Sequence, residues 1–241
     1  DPSAYERFYS APTFDYGNSA VHSEHMRSLE PVNAGALIWQ LNDDWPVVSW
    51  AAVDFNGHRK PVWYASRDFF APHLATIQPR VSEEYRETHS WEGVKTANDH
   101  FELIVLNDTR EAWKGTWKVE RVTLAGEVLA TQSFDDVELG AVCHIGLPLA
   151  EDIVSYGDAG NELVVATPSD NAFARVIFNP TEIIDQKLTA PAEAFSIAAV
   201  AVEDGVELTV TAKSYVRDLF CMADKVDAKA LVAEVMVSLL P

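Results

Sequence analysis

From about His73 onward, short runs of alternating apolar and polar residues are separated by turn signals. That texture commits the larger part of the chain to antiparallel sheets of the sandwich kind. His100 to Leu106 reads as one strand, and Asn107-Asp108-Thr109 as the turn after it. Thr116 to Leu124 reads as another. Trp117 and Val119 share one phase, Val122 and Leu124 the opposite one, and the slip near Glu120-Arg121 predicts a bulge. Ala125-Gly126-Glu127 turns the chain into Val128 to Phe134 as a hairpin. Leu139 to Leu147 supplies a further strand. Tyr156 to Asn161 holds two glycines and no periodicity, and marks the best internal boundary. Beyond it come Glu162 to Thr167, Ala172 to Phe178, and a hairpin of Phe195 to Val202 and Val206 to Ala212 around Glu203-Asp204-Gly205. On its second arm Val206, Leu208 and Val210 alternate with Glu207, Thr209 and Thr211, which predicts one dry and one wet face. Asp227 to Leu240 has helical composition, with Ala, Lys, Leu, Glu and Met frequent.

The part before His73 has a different period. Residues 1–16 are aromatic, broken by proline, and read as loop. Ser19 to Pro31 reads as a helix that Pro31 stops. His22 and His25 lie i, i+3 on it, but no further ligands are nearby for a metal site. Ala34 to Leu41 is nearly all apolar without alternation, as in a parallel strand covered on both faces. It runs into Asn42-Asp43-Asp44-Trp45-Pro46. Asn56-Gly57 makes a turn, and Pro61 sits well as the first residue of a helix to about Phe70. Helix, strand, loop, helix is one and a half repeats of an α/β fold, and a closed barrel needs eight.

Four of the seven Trp fall between Trp39 and Trp63. An indole is flat and apolar with one donor at its rim, which suits stacking on a sugar ring. Packing in a core is the competing use. The pattern favours a site for Trp39 and Trp45, and core for Trp50 and Trp63. Asp43 and Asp44 are adjacent, so their side chains diverge. They suit hydrogen bonds within the loop, or one to a sugar hydroxyl, better than paired catalysis.

The run Gly35-x-Leu37-x-Trp39-Gln40-Leu41-Asn42-Asp43-x-Trp45, then Ser49-Trp50, Asp54 and Gly57, resembles the last barrel strand of β-mannosidases in glycoside hydrolase family two. Lys60-Pro-Val-Trp-Tyr-Ala-Ser-Arg-Asp-Phe-Phe-Ala-Pro72 is similar to the family's last barrel helix and the exit from the barrel. The strong resemblance covers about a quarter of the chain. It implies a mainly β molecule: a remnant of a (β/α)8 barrel over 1–73, an immunoglobulin-like sandwich over 74–157, and a second one over 158–241. It also implies extended structure over residues 215–241, against their helical composition, and that the chain is the tail of the enzyme and stops before the final strand, leaving an apolar edge.

The same resemblance implies roles. Trp39 would form the floor of a sugar pocket, Asn42 and Asp43 would hold the loop or reach a hydroxyl, and Trp45 would line the mouth. A retaining glycosidase needs two carboxyl groups about 5 to 5.5 Å apart. The family's two Glu belong to earlier barrel strands, so no catalytic residue is assigned here. Glu24, in Val-His-Ser-Glu-His, is the only lookalike. It falls mid-helix and reads as a surface residue. No nucleophile elbow, phosphate loop or paired Cys-x-x-Cys is present.

Charge and composition narrow the alternatives. A net charge of −19 repels phosphate backbones and anionic membranes, and leaves a neutral sugar unaffected. The expected partner is a β-mannoside oligosaccharide, with no nucleic acid, membrane or cofactor. The barrel piece should need cover from the rest of the parent polypeptide or another chain. Cys143 and Cys221, the only two cysteines, sit among apolar residues and read as buried thiols, which leans to a cytoplasmic setting. Asn107-Asp-Thr is a formal glycosylation sequon. Trp91, Trp113 and Trp117 read as core or strand-face residues. A non-catalytic carbohydrate-binding or structural sandwich protein is the reading from another class. A family-two β-glycosidase of other sugar specificity is a third.

Overall fold

A computed structural model describes residues 23–33, 35–82, 100–227, 229–233 and 235–241. The expected loop over residues 1–16, the start of the first helix, His22 and Trp91 lie outside the described residues. Two compact units share the chain. One comprises the described residues within Asp1–Thr116, Asp135–Pro148 and Pro168–Ala174; the other, those within Trp117–Phe134, Leu149–Thr167 and Arg175–Pro241.

Eleven strands make the described structure mainly β, as the alternating texture predicts. Strands β1 (His73–Arg80), β2 (His100–Asn107) and β5 (Cys143–Pro148) form an antiparallel sheet in the order β1-β2-β5. Strands β3 (Trp113–Thr123), β4 (Val128–Leu139), β6 (Glu162–Pro168) and β7 (Val176–Phe178) form a second, in the order β4-β3-β6-β7. β8 (Phe195–Val202) pairs with β9 (Gly205–Ala212), and β10 (Val216–Phe220) with β11 (Met236–Leu239). The lean toward strand for residues 215–241 is thus realised at both ends of that segment. Helical composition loses there because Met236, Val237 and Leu239 gain ladder partners on β10.

Local sequence explains much of this. Gly126 takes φ +86, a left-handed value open to glycine, and its N–H reaches Thr123 O at 2.9 Å, so the β3–β4 hairpin closes where expected. Along β3, Trp117 and Val119 are buried, then Val122, so the face that turns inward slips between Val119 and Val122. β1 has no clear sequence signal. Pro79 lacks an N–H, and Thr76 and Gln78 are polar yet buried. Its place at a sheet edge tolerates the proline. Ala172 to Phe178 shortens to β7, because only Val176 to Phe178 pairs with β6.

Three expectations need correction. Residues 35–41 form no strand and are not buried: Leu37, Trp39 and Leu41 are exposed. A strand needs a neighbour along its length, and among the described residues the backbone here meets residues 52–53 just at its end, through Gln40, Leu41 and the parallel bridge of Asn42 with Val53. The hairpin β8–β9 has the expected two faces, but neither is dry. The register sets Ile197, Ala199 and Ala201 beside Val210, Leu208 and Val206, and all of these except Val210 are exposed. Two strands alone cannot cover their own apolar face. The cysteines are free thiols, half-buried rather than buried.

In the first unit, helix α1 (described residues 23–27) and helix α2 (Pro61–Phe69) flank the region of interest. Pro61 begins α2 where a missing N–H costs nothing, and Val62, Ala65 and Phe69 make its buried face. Arg27 of α1 satisfies the carbonyls at its end. Its Nη1 donates to Phe69 O at 2.6 Å and Ala71 O at 2.9 Å, and its Nη2 to Asp108 Oδ2 at 2.6 Å. Leu74, Ile104 and Leu106 form a small core cluster. In the second unit Val122, Leu124, Leu163, Val165 and Tyr215 form another.

Glu24 is half-buried inside this frame rather than on the surface. Thr76 Oγ1 donates to its Oε2 at 2.7 Å, Gln78 Nε2 donates to Thr76 Oγ1 at 3.0 Å, and His25 Nδ1 lies 3.1 Å from Gln78 Oε1. Burial raises the Glu24 pKa above the usual carboxylate range, against the hydrogen bond from Thr76. A raised native pKa favours folding while the group is protonated. Its contribution is full below the ordinary carboxylate pKa and is lost as pH rises through the native one. Glu24→Gln is therefore expected to raise the unfolding midpoint at pH 7 by roughly 2–4 °C, the shift that about 1 kcal/mol produces in a chain of this size. The gain should vanish below the ordinary carboxylate range. Melting curves at both pH values check this.

Candidate carbohydrate site around Trp39 and Trp45

The site is built on three short backbone segments. Ala52 N–H donates to Gln40 O at 3.0 Å, Val53 N–H to Leu41 O at 2.9 Å, and Asp43 N–H to Val53 O at 3.1 Å. On the other side Lys60 N–H donates to Ala52 O at 2.9 Å, and Val53 bridges Arg59 in antiparallel sense. Residues 51–54 are thus the middle rib, with 40–43 and 58–60 beside them. The Asn56-Gly57 turn returns the chain. Gly57 adopts φ +85 and its N–H reaches Asp54 O at 3.0 Å. Asp54 is buried and seals the turn, accepting from His58 N–H at 2.8 Å, with His58 Nδ1 at 3.2 Å.

The aromatic residues stand out from this base. Trp39 is 77% exposed and Trp45 62%. Large apolar side chains left in water in one short stretch mark a surface that binds something. Trp50 was expected in the core and is 61% exposed instead. Trp63 on α2 is half-buried, with the Arg59 guanidinium 4.2 Å from its ring centroid. The Trp39–Gln40 peptide bond is cis.

The two polar candidates part company. Asn42 is exposed, and its Nδ2 makes a 3.3 Å contact to Asp43 O. Asp43 points inward and is 6% exposed. Its Oδ1 accepts from Ser49 Oγ at 2.6 Å, and its Oδ2 lies 3.6 Å from Lys60 Nζ. Of the two uses weighed for Asp43, this geometry is that of holding the loop. Asp44 is exposed. Lys60 was not singled out by sequence, although it stands just before the proline that starts α2. A lysine in that place signals nothing until the chain folds back on residue 43.

Other candidates are occupied. Asn107 is 0% exposed, and its Nδ2 donates to Glu111 O at 2.7 Å and Gly140 O at 2.8 Å. The sequon amide is thus engaged within the fold. Trp113 is buried and donates to Asp170 Oδ2 at 2.9 Å, with Phe173 edge-on at 5.0 Å. Trp117 is fully buried. Among the described residues, no group of three His, Cys, Asp or Glu could hold a metal ion, and no helix is long and apolar enough to cross a membrane.

No family model matches the chain. β-Mannosidase B of Neosartorya fischeri is 39% identical over 82 residues, which is 34% of this chain and 9% of that protein. β-Mannosidase B of Aspergillus oryzae is 42% identical over 82 residues, with the same coverage. The chain therefore matches only about a tenth of the length of these relatives. In fold, it is similar to a β-D-mannosidase from Dictyoglomus thermophilum, with a TM-score of 0.61 at 21% identity, over 82% of this chain and 22% of that one. An exo-chitosanase of Amycolatopsis orientalis gives 0.58 at 15% identity, over 94% and 29%. The resemblance to β-mannosidases drawn from the Trp39-to-Trp45 run is borne out by sequence over a third of the chain, and a fold like that of the Dictyoglomus enzyme extends over most of it.

Proposed function

We propose that this chain is the carboxy-terminal portion of a retaining exo-β-mannosidase of glycoside hydrolase family two. The parent enzyme removes terminal β-linked mannose from oligosaccharides. Residues 1–73 belong to its catalytic barrel, and the rest of the chain to its sandwich portion. One observation carries the reading: indoles at Trp39 and Trp45 stand in solvent on a braced base, in a chain up to 42% identical to β-mannosidases over its matched segment.

In the proposed mechanism Trp39 stacks on the apolar face of the pyranose and Trp45 lines its edge. Asn42 offers an amide to a ring hydroxyl. Held this way, the anomeric carbon faces a carboxylate nucleophile and a carboxylic acid supplied by earlier parts of the polypeptide, at the spacing retention requires. The exposed Leu37, Leu41, Val48 and Trp50 pack against those same parts.

The test is release of nitrophenol from an aryl β-mannoside. The full-length polypeptide should hydrolyse it, and the purified 241-residue chain should not. Turnover by the chain alone at a rate near the full enzyme's would overturn the assignment of the carboxylates elsewhere. A full-length enzyme preferring another aryl β-glycoside would keep the class and overturn the sugar.

A further inference from the structure

We infer that Lys60, with Asp43 and Ser49, is the positioning device of the site, clamping the loop that carries Trp45 and the segment that carries Trp39. The inference rests on the reading of this surface as a sugar site.

Asp43 and Ser49 are the two ends of the loop Asp44-Trp45-Pro46-Val47-Val48. Ser49 Oγ closes its mouth by donating to Asp43 Oδ1 at 2.6 Å, and the same hydroxyl accepts from Ala51 N–H at 3.1 Å. Lys60 then touches both ends. Its Nζ donates to Ser49 O at 3.0 Å and lies 3.6 Å from Asp43 Oδ2. The Asp43 and Lys60 side chains are 2% and 9% exposed, while every residue of the loop between is exposed.

That contrast needs a reason. A buried carboxylate and ammonium are costly to desolvate, and a loop needing only to turn would use neither. Among the described residues Asp43 Oδ2 makes no hydrogen bond, and the Lys60 charge beside it is what balances that oxygen while Ser49 holds the other. The pair cross-links two points that are close in sequence to Trp39 and Trp45, and so removes freedom from both indoles before a ligand arrives. A stacking platform is useful only if the ring above it meets the reacting groups in register, and a displacement of about 1 Å can cost a hundredfold in rate. Lys60 touches no substrate in this scheme. It acts through Asp43 and Ser49.

The experiment uses the full-length enzyme and an aryl β-mannoside, with kcat and KM measured per folded molecule well below the melting midpoint. Lys60→Met should lower kcat about a hundredfold, the cost of misplaced reactants. The double variant Lys60→Met with Asp43→Asn should lose no more than Lys60→Met alone, because the two act as one unit. Ser49→Ala removes only the hydroxyl and should lose about tenfold, which keeps the question open to test if Lys60→Met fails to fold. Wild-type kcat in folded Lys60→Met, or in Ser49→Ala, overturns the clamp. Additive losses in the double variant also overturn it. Trp39→Ala runs alongside. If it loses activity while the clamp variants do not, the clamp fails and the sugar site stands. If Trp39→Ala is itself silent, the site reading fails.

Discussion

Trp39→Ala in the full-length enzyme should lower kcat/KM for an aryl β-mannoside by about a hundredfold, a loss on the scale of one misplaced reactant. In the 241-residue chain the same substitution should leave the unfolding midpoint almost unchanged. Both halves follow from one fact: the indole is 77% exposed, so the fold gains little from it and a bound ring could gain much. Trp113→Phe should behave in the opposite way. Trp113 is buried, donates to Asp170 and meets Phe173 edge-on, so its replacement lowers the melting midpoint and spares turnover. Comparable activities in the two variants would remove Trp39 from the site. Running kinetics and melting curves on both proteins separates a binding role from a packing role.

The largest effect on stability should come from Arg121→Met. Arg121 Nη1 meets Glu162 Oε2 at 2.5 Å, and Arg121 Nε donates to Asp152 O at 2.9 Å. Glu162 is buried and its other oxygen accepts from Asp158 N–H at 2.8 Å. Removing the guanidinium leaves a buried carboxylate without its counter-charge, a change that costs about 3–5 kcal/mol. Arg121→Met with Glu162→Leu removes both charges and should recover much of the loss, because the desolvation penalty goes with them. Denaturant unfolding of the three proteins measures this. A single variant as stable as the wild type would show that the pair contributes nothing. The neighbouring Tyr156 phenol adds an alkaline limit. Burial pushes its pKa up to about 12, so the stability it lends is complete below its ordinary value of 10.0 and is lost as pH rises toward 12.

Where local chemistry decided the structure, the sequence was legible. The hairpin at Ala125-Gly126-Glu127 needed only a residue free to adopt a left-handed φ. The start of α2 needed only Pro61. The phase slip after Val119 was written in the order of apolar residues along β3. The Trp39-to-Trp45 run, by its length and mixed composition, pointed to β-mannosidases without any coordinates, and sequence comparison agrees. The turns, the alternating runs and the aromatic motif are thus properties of neighbours in the chain.

Tertiary structure decided the rest, because the quantities at stake are contacts between distant residues. An apolar run becomes a strand only when another strand lies beside it along its length, and residues 35–41 meet residues 52–53 just at their end. An alternating hairpin has a dry side only if something covers it, and nothing in the pattern of β8 and β9 says whether that happens. Glu24 reads as a surface residue until Thr76, fifty-two positions away, is folded against it. Asp43 could equally have faced a ligand or the loop. Its direction was set by Lys60, whose ammonium reaches it only after the backbone has doubled back along residues 51–54, where a buried carboxylate must find a positive charge.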